Sequence, residues 1–101
     1  MLEADLQSRV MDLCVKYKLR VFHCEDSRWN KGTSVGFPDL VIVGTSLLFA
    51  ELKTNYGNLS GPQTNWRYRL QAAGVKHVVW RPRDLESGDI EAVLRSISQV
   101  D

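Results

Sequence analysis

The stretch "GFPDLVIVGTSLLFAELKT", residues 36–54, decides how this sequence folds. Two apolar runs, "LVIV" and "LLFA", are separated by "GTS", which predicts two strands joined by a short turn. Both runs are apolar at consecutive positions, a pattern typical of strands that are covered on both faces of a sheet. The same hairpin carries Asp39, Glu51 and Lys53. Three charged residues in an apolar hairpin indicate a functional site.

The length of the turn determines whether the two carboxylates meet. A three-residue turn at 44–46 pairs Val43 with Leu47 and places Asp39 opposite Glu51 on one face of the sheet. A two-residue turn would put the carboxylates on opposite faces, because a one-residue slip inverts the pattern. Adjacent carboxylates repel each other. A divalent cation between them removes that repulsion, and carboxylate oxygens are the ligands that Mg²⁺ prefers.

Two further groups extend this hypothetical metal site. Strand alternation places Lys53 on the same face as Glu51, where its ammonium can orient a water nucleophile or stabilise charge that develops on a phosphate. The backbone carbonyl of Leu52 is a further candidate metal ligand. The competing interpretation is a salt bridge at an exposed strand end, between Lys53 and either Asp39 or Glu51.

The rest of the chain predicts helices around this hairpin. Apolar spacing and turn signals predict a helix over 2–18, a strand over 20–24, a helix over 62–73, a strand over 76–80 and a helix over 90–99 capped by Asp89. A long polar loop spans 26–36. The order is α-β-β-β-α-β-α, and the crossover helix predicts that the third and fourth strands are parallel. We therefore expect an α/β fold with a mixed four-stranded sheet and helices on both faces.

Composition limits the class of protein. A chain of 101 residues suits a single domain, 1–101. Its 13 basic and 12 acidic residues balance, so any anionic partner must be bound by a local cluster of charge. Cys14 and Cys24 form neither a disulfide framework nor a zinc pattern, and buried thiols in a reducing compartment are expected. The sequence has no apolar run of about 20 residues, and we expect no membrane partner.

Further residues, within this stretch and outside it, extend the pattern over nearly the whole chain. They are Glu3, Lys31, Gly32, Pro38, Thr54, Gly57, Ser60, Pro62 and Gln63, followed by "LQAAGVKHVVWRP". Together with the hairpin they resemble the VRR-NUC (virus-type replication-repair nuclease) branch of the PD-(D/E)xK nucleases. One departure is that Lys31 and Gly32 lie several residues earlier than in the family's K-G-x-P-D pattern. The resemblance implies a restriction-endonuclease-like core.

The resemblance also implies the chemistry and the residues that carry it. The family hydrolyses DNA phosphodiester bonds with Mg²⁺, for which Mn²⁺ can substitute. By this resemblance Asp39 and Glu51 are metal ligands, Lys53 is the catalytic lysine, Gln63 is an active-site glutamine and Glu3 completes the metal site.

Two of these roles have a purely structural alternative. Gln63 is also the third residue of a capping box that begins at Ser60. Glu3 is also an acidic residue at a helix N-terminus, where the helix dipole favours it. Asp5 competes with Glu3 for the role of helix metal ligand.

The expected partner is DNA. Arg28 and Lys31 in the long loop, and Arg67 and Arg69 on the second predicted helix, are candidate phosphate contacts. Trp66 is a candidate for base stacking, although core packing is its more common role. A homodimer would present two sites, which suits branched DNA such as Holliday junctions or flaps in repair, recombination or replication.

Two other functions compete with this one. A non-catalytic DNA-binding or assembly module could retain the same fold, and a sequence-reading restriction enzyme is a weaker candidate because no added recognition segment is visible. The expected location is the cytoplasm of a bacterial or phage-infected cell, or the nucleus of a eukaryote.

Overall fold

A computed structural model describes residues 1–23 and 32–99. Its helices are α1 (Glu3–Lys16), α2 (Gly61–Ala72), α3 (Pro82–Glu86) and α4 (Asp89–Ser96), and its strands are β1 (Arg20–His23), β2 (Leu40–Val43), β3 (Leu47–Leu52) and β4 (Lys76–Trp80). A 3₁₀ turn, Gly32–Ser34, precedes β2. No helix in these ranges is both long and apolar enough to span a membrane.

The four strands form one mixed sheet in the order β1-β2-β3-β4. Strands β2 and β3 are antiparallel, with Val43 opposite Leu47 and Leu40 opposite Ala50. This is the register that the three-residue turn predicts, and it directs Asp39 toward Glu51. Strands β3 and β4 are parallel, as the crossover helix predicts. The expected mixed four-stranded α/β fold is therefore confirmed.

Helices α1 and α4 cover one face of the sheet. Leu6 and Val10 of α1 and Leu94 of α4 are fully buried against Ile42 and Leu48 of the sheet. These positions follow helical spacing of three and four residues in the helices and alternate positions in the strands. Cys14 belongs to the same core, and burial raises the pKa of its thiol to about 11. The predicted buried thiol at Cys14 is confirmed, whereas Cys24 lies outside the described residues.

The opposite face is covered only in part. Helix α2 contacts β4, and Phe37 packs edge-on against both Phe49 of β3 and Trp66 of α2. On the same face, Phe22 and Val43 are 63% and 46% exposed. The expectation that both hairpin strands are covered on both faces is therefore only partly met, because α2 lies over the β3–β4 half of the sheet.

The C-terminal region differs from the sequence prediction. The order ends α-β-α-α, because a short helix, α3, begins directly after β4. Pro82 stands in its first turn, and the Asp84 carboxylate accepts a hydrogen bond from the Arg81 backbone N–H at 2.8 Å. The predicted cap of the last helix at Asp89 is wrong: Gly88 is the N-cap, with φ of 86°, and Asp89 lies in the first turn.

Candidate active site

The ends of β2 and β3 bring the two expected carboxylates together. Asp39 immediately precedes β2, and its Oδ2 accepts a hydrogen bond from the Leu52 backbone N–H at 2.7 Å. This bond ties the Asp39 side chain to the strand that carries Glu51. Glu51 is only 2% exposed, while Asp39 is half-buried. The predicted pairing across the hairpin therefore forms a carboxylate pair at the edge of the core.

Glu51 has an unfavourable electrostatic environment. The pKa of its carboxyl is raised to about 9, mainly by burial and then by the hydrogen bond with Asp39 and the charge of Asp39. The charge of Lys53 lowers this pKa. Glu51 Oε1 accepts a hydrogen bond from Gln63 Nε2 at 3.0 Å. Its Oε2 is buried and has no hydrogen-bond partner among the described residues. Buried polar atoms are nearly always paired, so this oxygen fits a site for a cation.

Gln63 caps the start of α2 and also contacts the carboxylate pair. Its backbone N–H donates to Ser60 Oγ at 3.2 Å, and its Oε1 accepts from the Ser60 backbone N–H at 2.8 Å. The capping box is therefore present. The amide nitrogen of the same side chain donates to Glu51. Gln63 thus connects the start of α2 to the carboxylate pair and restricts the orientation of Glu51.

Lys53 follows the last residue of β3, two positions after Glu51. Its backbone N–H donates to the Trp80 carbonyl at 2.9 Å, which extends the β3–β4 pairing. Within residues 1–23 and 32–99, no ion pair links Lys53 to Asp39 or Glu51. The strand-end salt bridge is therefore not formed, although Lys53 remains close enough to influence the pKa of Glu51.

The loop that follows Lys53 is held by Arg81. One guanidinium nitrogen of Arg81 donates to the carbonyl oxygens of Thr54 and Gly57, each at 2.6 Å. The Asn55 side chain also accepts from the Arg83 backbone N–H at 3.0 Å. Sequence reasoning missed Arg81. The available signal was its position directly after β4, at the sheet edge where the parallel strand β3 also ends.

Glu3 and Asp5 differ in their surroundings. Asp5 accepts a hydrogen bond from the Leu2 backbone N–H at 3.2 Å and so caps α1. Glu3 is exposed, and its charge is the smallest of the named influences that raise the pKa of Glu51. No group of three or more His, Cys, Asp or Glu side chains suited to a metal occurs in the part of the chain that the structure describes. Glu3 as a third ligand stays a prediction.

The candidate DNA contacts separate into different environments. Arg67 is directed toward the sheet, where it donates to the His77 carbonyl at 3.3 Å and lies 2.9 Å from His77 Nδ1. Burial, and then the charge of Arg67, lower the pKa of His77 to about 4. Arg69 is exposed, since two residues turn the helix by about 200°. Arg28 and Lys31 lie outside the described residues, so their predicted role is untested.

Comparison with known proteins identifies the fold. No family model and no curated protein matches the sequence. A solved structure described as "VRR_NUC domain protein" matches with a TM-score of 0.70 and 20% sequence identity, over 96% of this chain and 88% of that chain. At this identity the similarity establishes the architecture. The chain therefore has the VRR-NUC fold, as its sequence motifs predict.

Proposed function

We propose that this chain, which has the VRR-NUC fold, is a metal-dependent endonuclease that hydrolyses DNA phosphodiester bonds. A fold alone does not determine a function, so the proposal rests on the site. The observation that carries it is the pairing of Asp39 with buried Glu51, whose Oε2 has no hydrogen-bond partner among the described residues. Lys53 stands two residues beyond Glu51 on the same strand face.

The residues present fit a divalent cation. Asp39 and Glu51 would hold Mg²⁺ or Mn²⁺ through carboxylate oxygens, with Glu3 and the Leu52 carbonyl as further proposed ligands. When bound, such a cation supplies a Lewis acid and activates water. Because the pKa of Glu51 is raised to about 9 in the metal-free protein, its carboxyl would have to lose a proton at neutral pH in order to hold a cation.

The other side chains would position and stabilise the reacting groups. Gln63 holds one oxygen of Glu51 by hydrogen bonding and so preserves the geometry of the carboxylate pair. Lys53 would neutralise negative charge that develops on the phosphate oxygens in the transition state. The hydrogen bonds of Arg81 to the loop after Lys53 would limit movement of this segment.

The finer proposal concerns assembly and substrate. The exposed apolar side chains Phe22 and Val43 lie on the partly covered face of the sheet, and a second copy of the chain would bury them. A homodimer would present two sites, which suits cleavage of Holliday junctions or flaps during repair, recombination or replication. Light scattering on the purified protein tests the dimer, and a monomer at all working concentrations would remove this part of the proposal.

The competing function is a non-catalytic DNA-binding module. The two are separated by incubating labelled linear duplex, flap and four-way junction DNA with Mg²⁺, Mn²⁺ or EDTA. The nuclease proposal expects cleavage that requires a metal and is lost in Asp39→Asn. The matched control is Asp12→Asn, an exposed carboxylate of α1, which should cleave like wild type. Absence of cleavage of every substrate with both metals would favour the binding module.

A further inference from the structure

A groove of about 600 Å³ lies along α2, the helix that also carries Gln63. One wall is the segment Gly32–Val35, and the other is α2. The α2 residues along it recur at intervals of four, so they form one face of the helix; they are Gly61, Pro62, Asn65, Trp66 and Arg69. The groove thus runs for about 12 Å along the helix, at 1.5 Å per residue. It begins next to Gln63, the residue that holds Glu51.

Direct contacts hold the two walls together. Trp66 Nε1 donates a hydrogen bond to the Val35 carbonyl at 3.0 Å. Gly36 has φ of +86°, and a Cβ at this position would lie 2.5 Å from the Pro62 carbonyl carbon and 2.6 Å from the Gln63 nitrogen. Only a glycine allows the chain to approach the start of α2 so closely. The groove is therefore formed without a ligand, and its Pro62 end adjoins Gln63, whose side chain contacts Glu51.

The lining of the groove combines an apolar wall with a cation. Val35, Pro62 and Trp66 contribute apolar surface. Arg69 is exposed, and its Nε donates to Asn65 Oδ1 at 3.3 Å, which orients the guanidinium. Its two terminal nitrogens have no acceptor within the described part of the chain. A guanidinium with free terminal nitrogens suits bidentate binding of a phosphate.

Building on the proposed nuclease function, we infer that this groove binds one unpaired nucleotide of the DNA strand, next to the phosphate that is cleaved. The base would contact Val35, Pro62 and Trp66, and the neighbouring phosphate would contact Arg69. A base that remains stacked and paired in a duplex is not free to enter such a groove. The preferred substrates are therefore DNA molecules with an unpaired strand at the cleavage position.

Binding to single-stranded DNA tests the groove without requiring catalysis. Fluorescence anisotropy of labelled oligodeoxythymidine is measured in EDTA for wild type, Arg69→Gln and the control Arg9→Gln, an exposed arginine of α1. We expect Arg69→Gln to weaken binding about tenfold and to reduce the salt-dependence slope by about 0.7, the loss of one phosphate contact. The control should match wild type. Equal losses in both variants, or no binding by wild type, would overturn the inference.

A second pair of variants tests the space rather than the charge. Gly61 lines the groove, and a Cβ there would meet no atom within 4 Å. Gly61→Leu should therefore fold and fill part of the groove, while Gly61→Ala leaves it open. We expect Gly61→Leu to bind the oligonucleotide several-fold more weakly than Gly61→Ala. Equal affinities of the two variants would contradict a role for the groove.

Experiments can distinguish a wrong inference about DNA binding in the groove from a wrong proposal of nuclease activity. If wild type cleaves DNA with Mg²⁺ while Arg69→Gln and Gly61→Leu keep the wild-type KM for flap DNA, the inference about the groove is wrong and the nuclease stands. If no metal supports cleavage but Arg69→Gln alone loses oligonucleotide binding, the groove binds DNA and the proposed nuclease is wrong.

Discussion

Replacing Glu51 with glutamine should stabilise the metal-free protein although it removes a proposed metal ligand. The glutamate is 2% exposed, and one of its oxygens has no hydrogen-bond partner among the described residues. A glutamine of the same shape can still accept the hydrogen bond from Gln63. Its NH₂ group can also donate to the Asp39 carboxylate, a contact that glutamate makes only when protonated.

The size of this effect follows from the pKa of Glu51. Its ordinary value is 4.5, and burial and Asp39 raise it to about 9. At pH 7 the Glu51 carboxyl is ionised in the unfolded chain and protonated in the folded protein. Folding therefore requires this carboxyl to bind a proton at a pH that is 2.5 units above its ordinary pKa. At about 1.36 kcal/mol per unit, this costs roughly 3 kcal/mol. Glu51→Gln should therefore raise the free energy of unfolding at pH 7 by up to about 3 kcal/mol.

The pH dependence has a definite sign. Between pH 4.5 and 9 the folded protein binds more protons than the unfolded chain at Glu51. This contribution therefore decreases wild-type stability as the pH rises through that range. The Glu51→Gln variant lacks this contribution. The difference in stability between variant and wild type should accordingly increase from pH 5 to pH 9.

Urea denaturation in EDTA, at pH values from 5 to 9, measures this difference. The matched control is Glu86→Gln, an exposed glutamate of α3, which should change stability by less than about 0.5 kcal/mol. Adding Mg²⁺ should stabilise wild type and leave Glu51→Gln unchanged, since the proposed cation site requires both carboxylates. A variant less stable than wild type at pH 8, or a constant difference across the pH range, would show that the buried Glu51 carboxyl does not destabilise the metal-free protein.

Three further substitutions test the surroundings of the site. Burial and the charge of Arg67 lower the pKa of His77 from 6.5 to about 4, so the stability that neutral His77 contributes is present above pH 6.5, and roughly 3 kcal/mol of it is lost as the pH falls to 4. His77→Gln should therefore lose stability less steeply than wild type in acid denaturation. An acid denaturation profile identical to that of wild type would contradict this. Arg81→Ala removes two hydrogen bonds from a charged group and should reduce the free energy of unfolding by about 2 kcal/mol, whereas exposed Arg83→Ala should leave it unchanged in the same urea titration. Gly36→Ala should lower the melting temperature clearly more than Gly74→Ala does. Both glycines have positive φ, but of the two only Gly36 has backbone atoms within 3 Å of the added Cβ. Equal shifts in melting temperature would show that the positive φ alone determines the loss of stability.

The hairpin could be predicted from sequence because its information is local. Consecutive apolar residues on both sides of "GTS" indicate buried strands, and the length of that turn sets the register that brings Asp39 beside Glu51. The Ser60 and Gln63 capping box likewise depends on residues three positions apart. The parallel pairing of β3 and β4 follows from the helix that separates them in the sequence.

The features that sequence reasoning missed depend on contacts between distant segments. Arg81 reaches the loop at Thr54 and Gly57 only because β3 and β4 end at the same sheet edge. Arg67 and Arg69 look equivalent in the sequence, yet α2 directs one toward His77 and leaves the other exposed. Local patterns cannot distinguish these environments, since tertiary packing determines which side of the helix faces the sheet.

The proposed nuclease requires that the carboxylate pair and Lys53 form the site of cleavage. Its most direct test is the initial rate of Mg²⁺-dependent cleavage of flap DNA by wild type, Lys53→Ala and the control Lys76→Ala, an exposed lysine of β4. We predict a loss of about 100-fold or more for Lys53→Ala, with an unchanged melting temperature, and wild-type activity for Lys76→Ala. Wild-type activity in Lys53→Ala, or wild-type cleavage that persists in EDTA, would show that this site is not a metal-dependent nuclease centre.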